Sequence, residues 1–146
     1  MKPKETKIFV GKKAFIKKGD KVLVLKDPFY IVGSQNTGLD FPGGRFRWGG
    51  NPEDELIREV IEETGLKIKI NKPFTVWTNK KSLHKIIKKQ IFLIGYLCEY
   101  VSGDIILSEE HESFEWVDKK SYKKWDDGSD YFKALDEYFK IKETDG

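Results

Sequence analysis

The sequence predicts an α+β fold, an α/β/α sandwich on a mixed β-sheet. Three observations carry this. Short segments rich in Ile, Val, Leu and aromatics recur along the chain, one capped helix interrupts them early, and a second helical stripe closes the chain. Strands interrupted by one helix and followed by another favour a sheet covered by helices.

The elements read as follows. Ile8–Ile16 and Lys21–Leu25 are strand-like, separated by the turn signal Lys18-Gly19-Asp20. Leu39–Phe41 is a short strand that ends at Pro42-Gly43-Gly44, and Arg45–Gly50 reads as a loop. Asn51–Thr64 is the clearest helix: Asn51 is a good N-cap, Pro52 suits the first helical position, and Glu53 and Asp54 suit the first turn. Gly65 is a left-handed terminator. Leu66–Ile70 and Phe74–Thr78 read as two strands, Asn79–Lys89 as a basic polar stretch, Gln90–Val101 as a long buried strand and Glu115–Val117 as a short one. Tyr131, Leu135, Tyr138 and Phe139 form the stripe of a helix over Asp130–Ile141.

A length of 146 residues points to one domain over 1–146. Charged residues make up 35%, but 27 basic side chains face 24 acidic ones, and a net charge of +3 gives no argument for a nucleic-acid partner. Cys98 is the single cysteine, which excludes a disulfide framework and a thiolate metal site and reads as a small core residue. There is no signal-peptide stretch and no apolar run of membrane-spanning length, so the expectation is a cytoplasmic protein, monomer or homodimer. Only Arg45, Arg47 and Arg58 are arginines, all in one short stretch.

The helix Asn51–Thr64 is at odds with itself. At about 100° per residue, Leu56, Ile57, Val60 and Ile61 share an arc that reads as the core face. Glu55, Glu59, Glu62 and Glu63 share the opposite arc. Glu59 stands one turn from Glu62 and Glu63, where each like-charge pair costs roughly a few tenths of a kcal/mol. Glu62 and Glu63 also sit at the helix C-terminus, which disfavours negative charge. No lysine in the helix relieves them, and Arg58 reaches Glu62 in the less favoured order. A solvated acidic face is the bland explanation. A site for a hard cation such as Mg²⁺, which takes carboxylate oxygens and keeps waters, explains the crowding better.

These residues resemble the Nudix box, in which Gly and Glu, five residues apart, precede Arg-Glu-apolar-any-Glu-Glu-any-Gly-apolar. Arg58-Glu59-Val60-Ile61-Glu62-Glu63-Thr64-Gly65-Leu66 follows the second part without departure, Gly44 falls on the first glycine, and Phe41-Pro42-Gly43-Gly44 is similar to the family's entry. One position departs: Gly50 stands where the family places its first Glu, which supports the arginine and the metal site there. The resemblance implies a Nudix-like sandwich and Mg²⁺-dependent (or Mn²⁺-dependent) hydrolysis of a diphosphate linkage. It implies Glu59, Glu62, Glu63 and the Gly43 carbonyl as metal ligands, with Arg58 orienting the glutamates. Ser108-Glu109-Glu110-His111 before Trp116 is similar to the region that supplies a further acid, and Glu110 matches best by its distance to the tryptophan. Glu109, Glu110 and Glu112 read equally as an exposed loop, and His111 as a structural or substrate-edge residue. The absence at Gly50 leads to an expectation of weaker Mg²⁺ binding.

Diphosphate hydrolysis needs phosphoryl charge offset and a water activated in line. Carboxylates holding Mg²⁺ do both, with Glu62 or Glu110 as base. The expected partner is a small nucleotide. With no room for a large N-terminal segment, a nucleoside triphosphate or dinucleoside polyphosphate ranks before ADP-ribose or a nucleotide sugar. A weak nucleotide-binding sensor is the non-catalytic alternative. Tyr30, Phe46, Trp48, Trp77 and Phe114 are candidates for base stacking, and Lys80, Lys81, His84, Lys85, Lys88 and Lys89 for phosphate contact or RNA, against core packing and a solvated hairpin.

Overall fold

The structure is a computed structural model that describes residues 5–28, 38–83 and 87–144. Among these, seven strands form one mixed sheet. They are β1 (Glu5–Lys18), β2 (Lys21–Lys26), β3 (Leu39–Asp40), β4 (Gly43–Arg45), β5 (Lys67–Leu83), β6 (Ile87–Ser102) and β7 (Ser113–Val117). Helix α1 spans Pro52–Thr64, a 3₁₀ turn spans Tyr122–Trp125, and helix α2 spans Asp130–Thr144. The main order is β3-β2-β1-β6-β5, with β4 on β1 and β7 on β2. β1 and β6 run parallel from Glu5↔Ile87 to Lys17↔Glu99, and the other pairs are antiparallel.

Strand alternation sends consecutive side chains to opposite faces. Phe15, Val22 and Val24 pack with α2 through Leu135, Tyr138 and Phe139. Ala14, Ile16, Leu23 and Leu25 pack with α1 through Leu56 and Val60. The sheet is thus covered on both sides, as the sequence predicts. Cys98 is buried in the α1-side core, where burial pushes its thiol up to about 12.

The α1 caps form as read. Asn51 accepts from the N–H groups of Glu53 and Asp54, Pro52 opens the helix, and Gly65 ends it at φ 78 with its N–H on the Ile61 carbonyl. Its buried arc differs. Leu56 and Val60 are fully buried, yet Ile61 is 47% exposed while Glu55 and Glu63 are buried. The helix is turned so that the border between its apolar and acidic arcs faces the sheet. The reason lies in partners from outside the helix, described below.

Two further boundaries differ. The expected strands Leu66–Ile70 and Phe74–Thr78 are one strand, β5, whose pairing to β6 shifts register at Ile70/Lys72 and Pro73/Thr75. Bulges at Asn71 and Phe74 flank the paired Lys72↔Leu97 and Pro73↔Tyr96 and accommodate the proline, which lacks an N–H to donate. The basic stretch after Thr78 is also strand: β5 runs on to Leu83 and β6 begins at Ile87, because cross-strand pairing continues from Asn79↔Ile91 to Leu83↔Ile87 despite the polar sequence.

Replacement of Gly65 by Ala tests the helix stop. A Cβ at φ 78 is strained and lies 3.1 Å from the Asp104 carbonyl oxygen. The left-handed conformation costs an ordinary residue roughly 1–2 kcal/mol. Denaturant unfolding of Gly65→Ala should show a loss of about that size, and an unchanged midpoint would contradict the stop.

Candidate metal and active site

The site lies where α1 crosses β4 and the loop before β7. Gly43 adopts φ 141, and a Cβ there would stand 2.1 Å from the Lys12 carbonyl oxygen, so only glycine lets β4 lie this close to β1. Its N–H donates to Glu63 Oε2 at 3.0 Å. The neighbouring Gly44 leaves room for Glu59: a Cβ on Gly44 would meet Glu59 Oε2 at 2.1 Å. Gly43 and Gly44 thus seat the carboxylates of two α1 glutamates.

The strand alternation that builds the two cores also sends two lysines to opposite faces of β1. Lys12 is fully buried against α1. Its Nζ donates to the Arg45 carbonyl and to Glu55 Oε2, each at 2.9 Å. Glu59 Oε1 lies 2.6 Å from the same nitrogen, an ion pair without hydrogen-bond alignment. Lys13 turns the other way and pairs with Asp40 at 3.0 Å. Burial is the largest single influence and disfavours the Lys13 charge, but Asp40, Tyr131 and Glu63 together outweigh it and raise its pKa. Asp40 Oδ2 also contacts His111 Nε2 at 2.9 Å.

His111 is buried, with Nδ1 unpartnered and 3.9 Å from Glu63 Oε1. The two ring nitrogens thus face different carboxylates, Nε2 toward Asp40 and Nδ1 toward Glu63. Glu63, Glu110 and His111 each bring a ligand atom to within 4.8 Å of the others. Two carboxylates and an imidazole nitrogen so arranged fit a divalent cation. Burial raises the Glu63 pKa from an ordinary 4.5 to about 7, against the pull of Lys13, the Gly43 N–H and His111.

Of the residues singled out in the sequence, the structure brings Glu63, Glu110 and His111 together, with Glu59 beside Gly44 on the same helix face. Glu62 stands apart, exposed, accepting from Arg58 Nη1 at 2.9 Å in an i,i+4 pair. Glu109 and Glu112 are exposed. Among the aromatic candidates, Trp77 is buried in the core, Trp48 is fully exposed in the loop before α1, Phe114 is exposed, and Phe46 lies 5.1 Å from Lys12 Nζ. Tyr30, His84 and Lys85 lie outside the described residues, as do the side chains of Lys80, Lys81, Lys88 and Lys89. Sequence reading missed Lys12, Lys13 and Asp40. A lysine pair in an otherwise apolar strand segment, Lys12-Lys13 before Ala14-Phe15-Ile16, was the available signal.

The raised Glu63 pKa has a consequence for stability in metal-free buffer. A carboxyl with a higher pKa folded than unfolded binds more protons in the folded state between the two values. Its contribution is therefore full below about 4.5 and is lost as pH rises toward about 7. Melting curves of wild type and Glu63→Gln over that range should diverge, the wild type losing relative stability with rising pH. Parallel curves would show that Glu63 ionises without penalty.

A family model of the NUDIX domain matches residues 13–138. No curated protein matches the chain. Among solved structures, the MutT protein from Methanosarcina mazei Go1 is similar at 23% identity and a TM-score of 0.69, covering 93% of this chain and 95% of its own. A mutator MutT protein from Bacillus halodurans matches at 21% identity and a TM-score of 0.63, over 80% and 72%. An ADP-ribose pyrophosphatase from Streptococcus suis 89-1591 matches at 20% identity and a TM-score of 0.52, over 74% and 72%. These likenesses concern the fold. The domain match spans most of the chain and includes every box residue placed above, so the chain belongs to the NUDIX family and is a pyrophosphohydrolase.

Proposed function

We propose that this single-domain enzyme uses Mg²⁺ to hydrolyse the diphosphate linkage of a nucleoside diphosphate derivative, with a nucleoside triphosphate or dinucleoside polyphosphate as first candidate. The observation that carries the reading is the convergence of Glu63, Glu110 and the His111 ring on one point beside Gly43 and Gly44. Glu59, Glu62 and Glu63, with the Gly43 carbonyl, are the proposed metal-holding groups. When bound, Mg²⁺ offsets phosphoryl charge and acidifies a water. Glu110 is the proposed base that takes the proton of the attacking water. Glu62 is second for that role, because its Oε1 already accepts from Arg58. Arg58 holds Glu62 against the repulsion of its neighbours.

The substrate ranking draws on extent of likeness. The chain covers 95% of the Methanosarcina mazei MutT structure and 82% of one from Burkholderia pseudomallei, against 51% of a UDP-X diphosphatase. A second reading, ADP-ribose or a nucleotide sugar, draws on the likeness to the ADP-ribose pyrophosphatase and to a UDP-X diphosphatase. No described helix is long and apolar enough to cross a membrane.

The test is a panel of nucleoside di- and triphosphates, dinucleoside polyphosphates, ADP-ribose and nucleotide sugars with Mg²⁺, with products identified. Turnover should vanish with chelator, and full activity in excess EDTA would sink the metal reading. On the best substrate, Glu110→Gln should lower turnover by about 10²–10⁴-fold, the usual worth of a positioned base. Glu109→Gln and Glu112→Gln should have little effect. Equal, small losses at all three would return this loop to a solvated surface.

A further inference from the structure

We propose that Glu55, held by Lys12, takes the place of the glutamate the box lacks at Gly50, and that this pair sets the divalent-ion affinity by positioning Glu59. The inference rests on the reading of Glu59 as a metal-holding group.

The first observation is spatial. A Cβ built on Gly50 would lie 2.2 Å from Glu55 Oε1 and 2.9 Å from its carboxyl carbon. The carboxylate of Glu55 therefore fills the volume that a side chain at position 50 would enter. Gly50 has no positive φ, unlike Gly49 beside it, so the backbone does not require glycine there. The space does.

The second observation is the contact pattern. Glu55 is buried although it lies in the first turn of α1. The Lys12 hydrogen bond, ahead of the backbone bond from Arg47, holds its carboxyl below the usual range. Lys12 in turn touches Glu59 Oε1, while Glu59 Oε2 lies where a Cβ on residue 44 would stand. One oxygen of Glu59 is thus held by a cation, and the other uses space that Gly44 leaves open. Arg58, which the family's glutamate would support, faces Glu62 on the exposed side instead.

The third step is electrostatic. A buried ammonium demands counter-charge. With Glu55 present, Lys12 is neutralised and Glu59 keeps negative charge for a divalent ion. Without Glu55, Glu59 becomes the sole carboxylate partner of Lys12, and its charge is withdrawn from the site. Glu55 is a positioning residue: it acts on the ion through Lys12 and Glu59.

Direct Mn²⁺ binding, followed by the spin-resonance signal of the free ion, reads this without turnover. Glu55→Gln should bind Mn²⁺ more weakly by about 10–100-fold, the usual effect of groups that orient ligands. Gly50→Ala, which displaces the Glu55 carboxylate, should weaken binding in the same direction. Gly50→Glu alone puts two carboxylates into one volume and should lower the melting temperature without tightening Mn²⁺. Gly50→Glu combined with Glu55→Ala returns one carboxylate to that volume and should recover most of the lost affinity. Asp54→Asn, exposed on the same turn, should bind as wild type. Wild-type affinity in Glu55→Gln or in Gly50→Ala overturns the proposal, as does a double variant that melts like wild type yet recovers nothing. A wild-type protein that binds no Mn²⁺ overturns the metal reading itself, and this inference with it.

Discussion

The buried ammonium of Lys12 is the contact on which the arrangement of the site depends. One nitrogen with no exposed surface gathers the Arg45 carbonyl, Glu55 and Glu59. It thereby joins β1, the end of β4 and two turns of α1. Leaving such a charge unpaired by removing one partner typically costs about 3–5 kcal/mol, so β4 and the helix are not free to move independently. The glycines around it follow from the same contact. Gly44 and Gly50 each leave space for a carboxylate that would otherwise be pushed off Lys12.

That contact also explains the orientation of α1. Amphipathicity alone places Leu56, Ile57, Val60 and Ile61 inward and the four glutamates outward. Burying Ile61 fully would have added an aliphatic side chain to the core. Lys12 and the Gly43 N–H instead offer buried partners to acids on the other arc, and the helix settles with Glu55 and Glu63 inside and Ile61 half outside. A paired charge was favoured over an apolar side chain, which local pattern cannot foresee because both partners lie far away in sequence.

The parts of the fold that were legible depend on neighbours in sequence. The Asn51 cap, Pro52, the Gly65 stop and the alternation through β1 and β2 are all set within a few residues, and each formed where expected. The box was legible because its spacing is helical and its crowding of acids is locally unfavourable. Lys12 was not, since it is one lysine among many until strand pairing brings Gly44 opposite it. Asp40 and His111 come from distant segments and meet only through the sheet. The gap at Gly50 was visible in the sequence, whereas the Glu55 carboxylate in that space was visible only in three dimensions.

The distribution of partners divides the acids by task. Glu55 is committed to Lys12, and Glu62 to Arg58 on the exposed side. Asp40 is committed to Lys13 and His111. Among the described residues, Glu63 accepts from a backbone N–H, faces the His111 ring and feels the Lys13 charge, and burial still makes its own charge costly. Glu110 brings a second carboxylate to the same point. A group left in this state is a local conflict, and such conflicts in an otherwise consistent fold concentrate where a ligand resolves them. A divalent ion at Glu63 would remove its burial penalty and ease the repulsion from Glu110. The lysines would then hold the surrounding carboxylates in place rather than compete for that point. Of the proposed metal-holding acids, Glu59 and Glu62 each keep a protein cation, Lys12 and Arg58, whereas Glu63 is the one whose charge depends most on a bound ion.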